Sequence, residues 1–598
     1  MPQGRHKVPF SAKQKKQQLK QKRDHRKRHL SDGKRSEDNE STADEEESAQ
    51  ESTIVGAIGG QSSTKGVKQI NVQKGLDKNK DVNRYALKFF EESQEEIRER
   101  RENSRKPFEF LTENQLEVSV EEVFTADSRL DMPKRPEWRS EWSTAQLEAN
   151  EQKYFRQYLD SMVKTNDKLS YFELNLETWR QLWRVLEMSD IVLLIGDIRH
   201  PVFHFPPSLY DYVVKEMKKD MILVLNKVDL VDSPLVIAWT QYLKKSFPEL
   251  HVIPFASYAG MKTNIRNKKR IGKLRMASNA AKALQEVCQQ ICGRRADLTN
   301  WRIKIEDELR EELSSNQDDF TDEDDDNGSA KNPLKTCEQR LEKLDLNYYK
   351  QTERFKDGIV TIGCVGHPNV GKSSLLNAIM GRKVVSVSRT PGHTKHFQTI
   401  YLTPTVRLCD CPGLVFPSRA PKELQVLMGC FPIAQLREPY SAIGYISQRI
   451  PVHRILKLVH PNQEGKAVVE HQWSAYDICE AWALKRGFLT AKAARPDVYR
   501  AANHMLRMAL DGRTLCLAFF PPNYTKERVS KWSTHPDIKF MDSIRGRKLE
   551  NDSDDEIPVK TGVGGDSHSE DEEEDESSGE ESTQFGVKSK FSVLQDME

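Results

Sequence analysis

The chain has 598 residues, with 92 Lys or Arg against 90 Asp or Glu, so a 30% charged composition nets only +2. Its apolar fraction of 37% lies below the roughly 45–50% of a globular domain, so several domains are expected with unfolded chain between or beside them. No apolar run approaches the ~20 residues of a membrane span, no apolar leader opens the chain, and its nine cysteines are scattered, which argues against secretion, membrane insertion and a zinc or disulfide framework.

Charge is sharply partitioned. Residues 1–35 carry 13 basic side chains against Asp24 and Asp32, including KQKK at 13–16 and RKR at 26–28. Residues 36–52 hold eight carboxylates and no Lys or Arg, residues 316–328 hold seven, and residues 551–582 hold 14 against Lys560. Together these tracts sum to −17, leaving +19 on the other 501 residues. Like-charge runs repel themselves and stay unfolded, so residues 1–83 are expected to be a disordered basic arm followed by an acidic segment, and 541–598 a disordered acidic tail. The arm has the composition of a nuclear or nucleolar signal read by import machinery, or of an RNA contact. Ser553, Ser567, Ser569, Ser577 and Ser578 lie among carboxylates, where phosphorylation would deepen the charge.

Residues 84–165 are expected to form a helical extension. Trp179, Leu182, Trp183 and Leu186 then fall at i, i+3, i+4 and i+7, a buried helical seam. Apolar runs at Ile191–Ile195, Met221–Leu225 and His251–Phe255 alternate with helical stretches, the pattern of a mostly parallel sheet covered on both faces. Ligands of such α/β sheets sit at the carboxyl ends of the strands, where Asn226-Lys227-Val228-Asp229 and Ala256-Ser257 lie. A charged insertion is expected over about 260–350, where a basic stretch, a helical stretch and the acidic block interrupt the sheet pattern. The sheet pattern resumes at Ile359–Val365, and residues 420–540 read as mostly helical, with Ala475, Ile478, Cys479 and Trp482 on one face and Val498, Ala501, Met505 and Met508 on another.

Gly366-His367-Pro368-Asn369-Val370-Gly371-Lys372-Ser373 follows a strand and opens a helix through Ser374, the context a phosphate-binding loop requires. Its glycines let backbone N–H groups converge on phosphate, Lys372 supplies charge to the β and γ phosphates, and Ser373 is a magnesium ligand candidate. Asp410-Cys411-Pro412-Gly413 ends a later strand, where Asp410 can hold magnesium through water and the Gly413 N–H can reach a γ-phosphate. Thr394 lies between, a second hydroxyl candidate for the metal. For the base, one Asp229 carboxylate can accept both guanine N1–H and its N2 amine, Asn226 can bond the Hoogsteen edge, and the Lys227 stem can cover the ring. GTP or GDP with Mg²⁺ is the expected ligand.

Ordinary GTPases carry the phosphate loop first and N-K-x-D later. Here the order is reversed, a circular permutation. With KLSYFELNLETWRQLWRVLEMSDIVLLIGDIRHP, NKVDL, GHPNVGKSSLLN, SRTPGHTKHFQT and DCPGLVFPS, the chain resembles the circularly permuted GTPases of the ribosome-assembly group over about Arg84–Pro522. The resemblance implies a Ras-like phosphate-loop domain over 166–419 that hydrolyses GTP, with Lys372, Thr394, Asn369 and Gly413 in the catalytic set. It further implies a large-subunit or pre-ribosomal RNA and protein partner, and a nuclear or nucleolar location with shuttling. A monomer is expected. In similar GTPases whose water-orienting Gln is replaced by an apolar residue, as Leu414 stands here, a phosphate-loop Asn binds potassium; Asn369 matches it. A signalling switch or scaffold with little hydrolysis remains the alternative reading of the same motifs. The N-terminal F-P-G-H segment of bacterial relatives, with its candidate catalytic His, is missing.

Overall fold

The computed structural model describes residues 67–69, 87–90 and 92–545, apart from 125–129, 140, 166–168, 258–267, 315–353, 383, 389–390, 393–396, 463–470 and 491–493. The basic arm, the three acidic tracts and Thr394 therefore lie outside the described residues.

Six strands form the main sheet: β1 Ile191–Asp197, β2 Asp220–Asn226, β3 His251–Pro254, β4 Val360–Val365, β5 Gln398–Thr403 and β6 Val406–Asp410. Their spatial order is β3-β2-β1-β4-β6-β5, parallel throughout except that β5 runs antiparallel to β6. Every residue of β1 and β4 is buried, as expected for central strands with helices on both faces. Permutation is visible at the β1–β4 seam. There Ile191 pairs with Ile362 and Leu194 with Val365, so the half carrying N-K-V-D, made first, meets the half carrying the phosphate loop.

Helix α1, Leu176–Met188, opens with Asn175, whose side chain accepts from the Glu177 N–H. Trp179, Leu182, Trp183 and Leu186 are fully buried on it, and both indoles are satisfied by carbonyls: Trp179 donates to Glu173 and Trp183 to Pro133. Arg180 and Arg135 share Glu151, with Arg135 also holding Glu187, so the preceding extension covers the outer face of α1 through ions as well as apolar contact. Helix α2, Ser233–Ser246, links β2 to β3.

The expected charged insertion is only partly that. Within it, α3, Lys268–Cys292, and α4, Thr299–Ser314, belong to the core: Leu284, Cys288, Leu298 and Trp301 are completely buried. Their apolar residues are diluted by Lys, Arg and Glu on the outer faces, so composition concealed a core-facing stripe. Helix α5, Lys372–Met380, follows the phosphate loop and ends at Gly381 in the left-handed conformation.

After Pro421 the described residues are mostly helical, with α6 Tyr440–Arg449, α7 Ala475–Arg486, α8 Val498–Asp511 and α9 Ile538–Arg545 among their elements. The capping box Ser474/Asp477 starts α7, and left-handed Gly487 and Gly512 stop α7 and α8. The segment after α8 returns to the sheet. Phe519 N–H donates to Arg199, Trp239 of α2 donates to the Phe519 carbonyl, and Phe520 exchanges backbone bonds with Leu116 and Val118. One apolar core consequently runs through extension, sheet and helical segment, from Leu87 to Met541.

Candidate functional site

Two glycines, one in the loop between β4 and α5 and one just after β6, let the two loops close on each other. Gly371 has φ +98°, and a Cβ there would lie 2.3 Å from Asn226 Nδ2; at Gly413 a Cβ would lie 2.9 Å from Pro368 Cα. Larger residues would push apart the loops that meet at this point. Asn369 also has positive φ, +59°, a conformation asparagine tolerates. The loop opens on a crevice lined by Pro368, Asn369, Lys372, Ser373, Ser374 and Gly413, with Ser386, Val387 and Ser388 also on its wall. Of these last three, sequence reasoning reached only Ser388, the first residue of SRTPGHTKHFQT.

Lys372 is buried and its ammonium donates to the carbonyls of Gly366 (2.9 Å) and His367 (2.6 Å). Burial lowers its pKa, against the pull of Asp410. Asp410 is fully buried, and burial pushes its carboxyl up to about 6 although Lys372 and Ser373 draw it down. Neither Asp410 carboxylate oxygen has a well-formed hydrogen bond, Ser373 standing near enough only to draw its pKa down. Leaving a buried carboxylate this poorly satisfied costs folding free energy, and a bound cation or its water would relieve that cost. Among the described residues no cluster of three or more His, Cys, Asp or Glu could hold a metal alone. One carboxylate and one hydroxyl fit a hard cation completed by phosphate and water, the habit of Mg²⁺. Cys411 and Pro412 are buried between Asp410 and Gly413, and Leu414 is wholly buried with its N–H on the Gly366 carbonyl, turned away from the role of orienting water.

The base motifs converge on this loop from far away in sequence. Asn226 is buried; its Nδ2 donates to the Val370 carbonyl (2.9 Å) and its Oδ1 accepts from Ser257 Oγ (2.9 Å). Three expected site segments thus meet at one amide, which leaves only its second N–H for the expected Hoogsteen contact. Val228 is buried and its N–H donates to Phe255, next to buried Ala256. Asp229 is exposed as a residue, though desolvation by the surrounding protein raises its carboxyl pKa, against the pull of Arg513 and Lys227. Lys227 is left-handed, φ +63°, and its ammonium bonds the Asn369 carbonyl (2.8 Å) and pairs with Asp197 Oδ2 (2.9 Å).

Asp197 itself went unassigned in the sequence, as did Arg199, His200 and His204. The carboxylate of Asp197 is buried, which raises its pKa, but Arg199 and Lys227 outweigh burial and hold it well below the usual range. His200, His204 and His367 form a buried row beside the loop, ring centroids 6.0 and 5.1 Å apart. Burial keeps them neutral, pushing His200 and His204 down to about 3. The signal that could have flagged them was position: all but His367 follow β1 at the carboxyl edge of the sheet.

A phosphate loop, an Asp-x-x-Gly aspartate and an Asn-Lys-x-Asp turn brought to one edge in permuted order define a guanine nucleotide site, and sequence comparison agrees. Residues 361–440 match the family described as 50S ribosome-binding GTPase. Guanine nucleotide-binding protein-like 1 of Mus musculus is 47% identical over 501 residues, 82% of this chain and 81% of its own. The chain belongs to the guanine nucleotide-binding protein-like 1 family. Members of this permuted family are GTPases, and so is this chain. Large subunit GTPase 1 of Schizosaccharomyces pombe is more distant, 35% identical over 66% of this chain and 59% of its own. GNP-bound YlqF from T. maritima aligns with 57% of this chain and 97% of that one at 18% identity and TM-score 0.30, too weak a likeness to add to the fold described above.

Proposed function

We propose that the chain is a GTP-gated factor of large ribosomal subunit assembly, slow in hydrolysis until it meets its partner. The observation that carries this reading is the bond from Asn369 Nδ2 in the phosphate loop to the Gly429 carbonyl (2.8 Å), which ties the phosphate end of the site to the helical segment. A segment bonded to that loop is placed to feel the state of the nucleotide. Family names of relatives and the +19 body support a ribosomal partner, since an excess of Lys and Arg favours polyanions.

In this reading Lys372 holds the β and γ phosphates, the backbone of Gly366–Ser374 cradles them, and Gly413 donates to the γ-phosphate. Ser373, Asp410 and Thr394 would hold Mg²⁺, which when bound would offset phosphate charge as it develops. Asp229 accepts from guanine, while Asn226, Ala256 and Ser257 form the floor beneath it. Leu414 supplies no water-orienting group, so intrinsic hydrolysis is slow. Potassium at Asn369 would take the side-chain Oδ1, an atom distinct from the Nδ2 that bonds the Gly429 carbonyl, and potassium should then speed hydrolysis where sodium does not. The basic arm serves import to the nucleus and nucleolus, with shuttling, and the chain acts as a monomer.

Sedimentation on a sucrose gradient tests the proposal. With a non-hydrolysable GTP analogue the protein should travel with large subunits or their precursors, and with GDP it should stay near the top. Absence of large-subunit association at low and moderate salt would sink it and leave the signalling or scaffold reading.

A further inference from the structure

Arg199 is almost completely buried, at the end of β1, and the nucleotide motifs give it no task. Its guanidinium forks in two directions. Nε and Nη2 bond Asp197 at 3.0 and 2.8 Å, while Nη1 and Nη2 reach the Ala509 and Leu510 carbonyls at 2.8 and 3.2 Å. Those carbonyls close the last turn of α8, where a helix lacks internal donors and favours a cation. The fit is close: a Cβ on Gly512, just beyond α8, would stand 2.5 Å from Arg199 Nη1.

Followed outward, these bonds close a ring. Arg199 holds Asp197; Asp197 pairs with Lys227; Lys227 bonds the Asn369 carbonyl; Asn369 Nδ2 bonds the Gly429 carbonyl. Gly429 lies against Leu510, so close that a Cβ there would come within 2.6 Å of Leu510 Cδ1. Leu510 carries the carbonyl that Arg199 holds. The ring passes through the base motif and the phosphate loop and is completed only by the end of α8. A buried ion pair is no better for stability than apolar packing of the same volume, so Asp197 and Arg199 are poorly explained as a brace alone.

We propose that Arg199 is a positioning residue that couples occupancy of the nucleotide site to the C-terminal turn of α8. Lys227 and Asn369 lie in motifs that face the ligand, and a shift in either reaches α8 by both arms of the ring. Arg199 touches no nucleotide; it acts through Asp197 and Lys227.

Amide hydrogen exchange of the full chain tests this, comparing residues 505–511 with and without GDP or a non-hydrolysable GTP analogue. In the unaltered protein nucleotide should slow exchange there about tenfold, within the usual range of coupling between sites. Arg199→Gln should bring that ratio close to one, Arg199→Lys should restore part of it, and Gly429→Ala should reduce it from the other arm. A brace with no coupling role would raise exchange equally in both states and leave the ratio unchanged; that result overturns the proposal. Should Arg199→Gln not fold, Gly429→Ala decides alone, and an unchanged ratio there overturns it too. The inference rests on the nucleotide site assigned above. An unaltered protein that binds no guanine nucleotide would unseat that site, whereas one that binds without slowing exchange in α8 unseats only the ring.

Discussion

The two ends of the site are satisfied in opposite ways. At the base end, the Asn226 amide and the Lys227 ammonium each have protein partners on both sides, and Asp229 is the exposed residue of the four in the motif. At the phosphate end, Asp410 is buried with neither oxygen in a well-formed hydrogen bond, and Lys372 leans on two carbonyls. The base end is thus built before ligand arrives and loses little order on binding. The phosphate end holds an electrostatic conflict that ligand resolves, so its contribution to binding grows with the charge brought to it. Affinity for the base and response to the γ-phosphate are in this way assigned to separate sides.

Four substitutions bear on that contrast. The largest effect is expected of Asp229→Asn, which should weaken GTP about a thousandfold and favour xanthine nucleotides, because a lost acceptor leaves guanine donors unpaired; competition binding reads it, and unchanged GTP affinity would overturn the base assignment. Next, Lys372→Ala should cost roughly a hundredfold in GTP affinity by calorimetry, the usual penalty for stranding a buried charge. Asp410→Asn should do two opposite things: abolish the Mg²⁺ dependence of binding and stabilise the ligand-free protein by ~3 kcal/mol near pH 7.5. The sign follows from its pKa of about 6, raised above the ordinary 3.8. Between those values the folded form keeps a proton that the unfolded form has released, so stability rises as pH falls through 6 and levels off near 4. Thermal melts of ligand-free protein should show this slope, and Asp410→Asn should flatten it. Smallest is Ser257→Ala, which removes one hydrogen bond to Asn226 and should weaken GDP and GTP alike, about fivefold. A selective loss of GTP binding there would blur the division between the two ends.

Much of this could be read from residues alone. The strands were legible because a central parallel strand is apolar on both faces, and the phosphate loop because backbone cradling of phosphate demands glycine at fixed spacing. Asp229 and Asp410 were legible from their place at strand ends. Asp197 and Arg199 were not: the carbonyls Arg199 holds are 310 and 311 residues away. Nor was the burial of α3 and α4, legible only as a helical stretch within a charged insertion, because their charged outer faces hid the stripe that buries Trp301. Asn226 is the instructive middle case. Its presence was readable, but its bond to Val370, 144 residues on, depends on tertiary closure.

The seam between β1 and β4 has a consequence in time. Translation delivers β1 complete at Asp197, yet its partner β4 begins only at Val360. At ~5–20 residues per second, roughly ten to thirty seconds separate the two. During that interval the most apolar strand of the sheet has β2 on one side and an open edge on the other, a surface that invites pairing with other chains. The seven carboxylates of 316–328 emerge late in the same interval, and like charge on a nascent chain discourages pairing between chains. Arrested nascent chains ending near residue 340 should aggregate more readily when those carboxylates are replaced by amides. A permuted gene order, harmless to the finished sheet, thus makes the half that reads guanine wait for the half that holds phosphate.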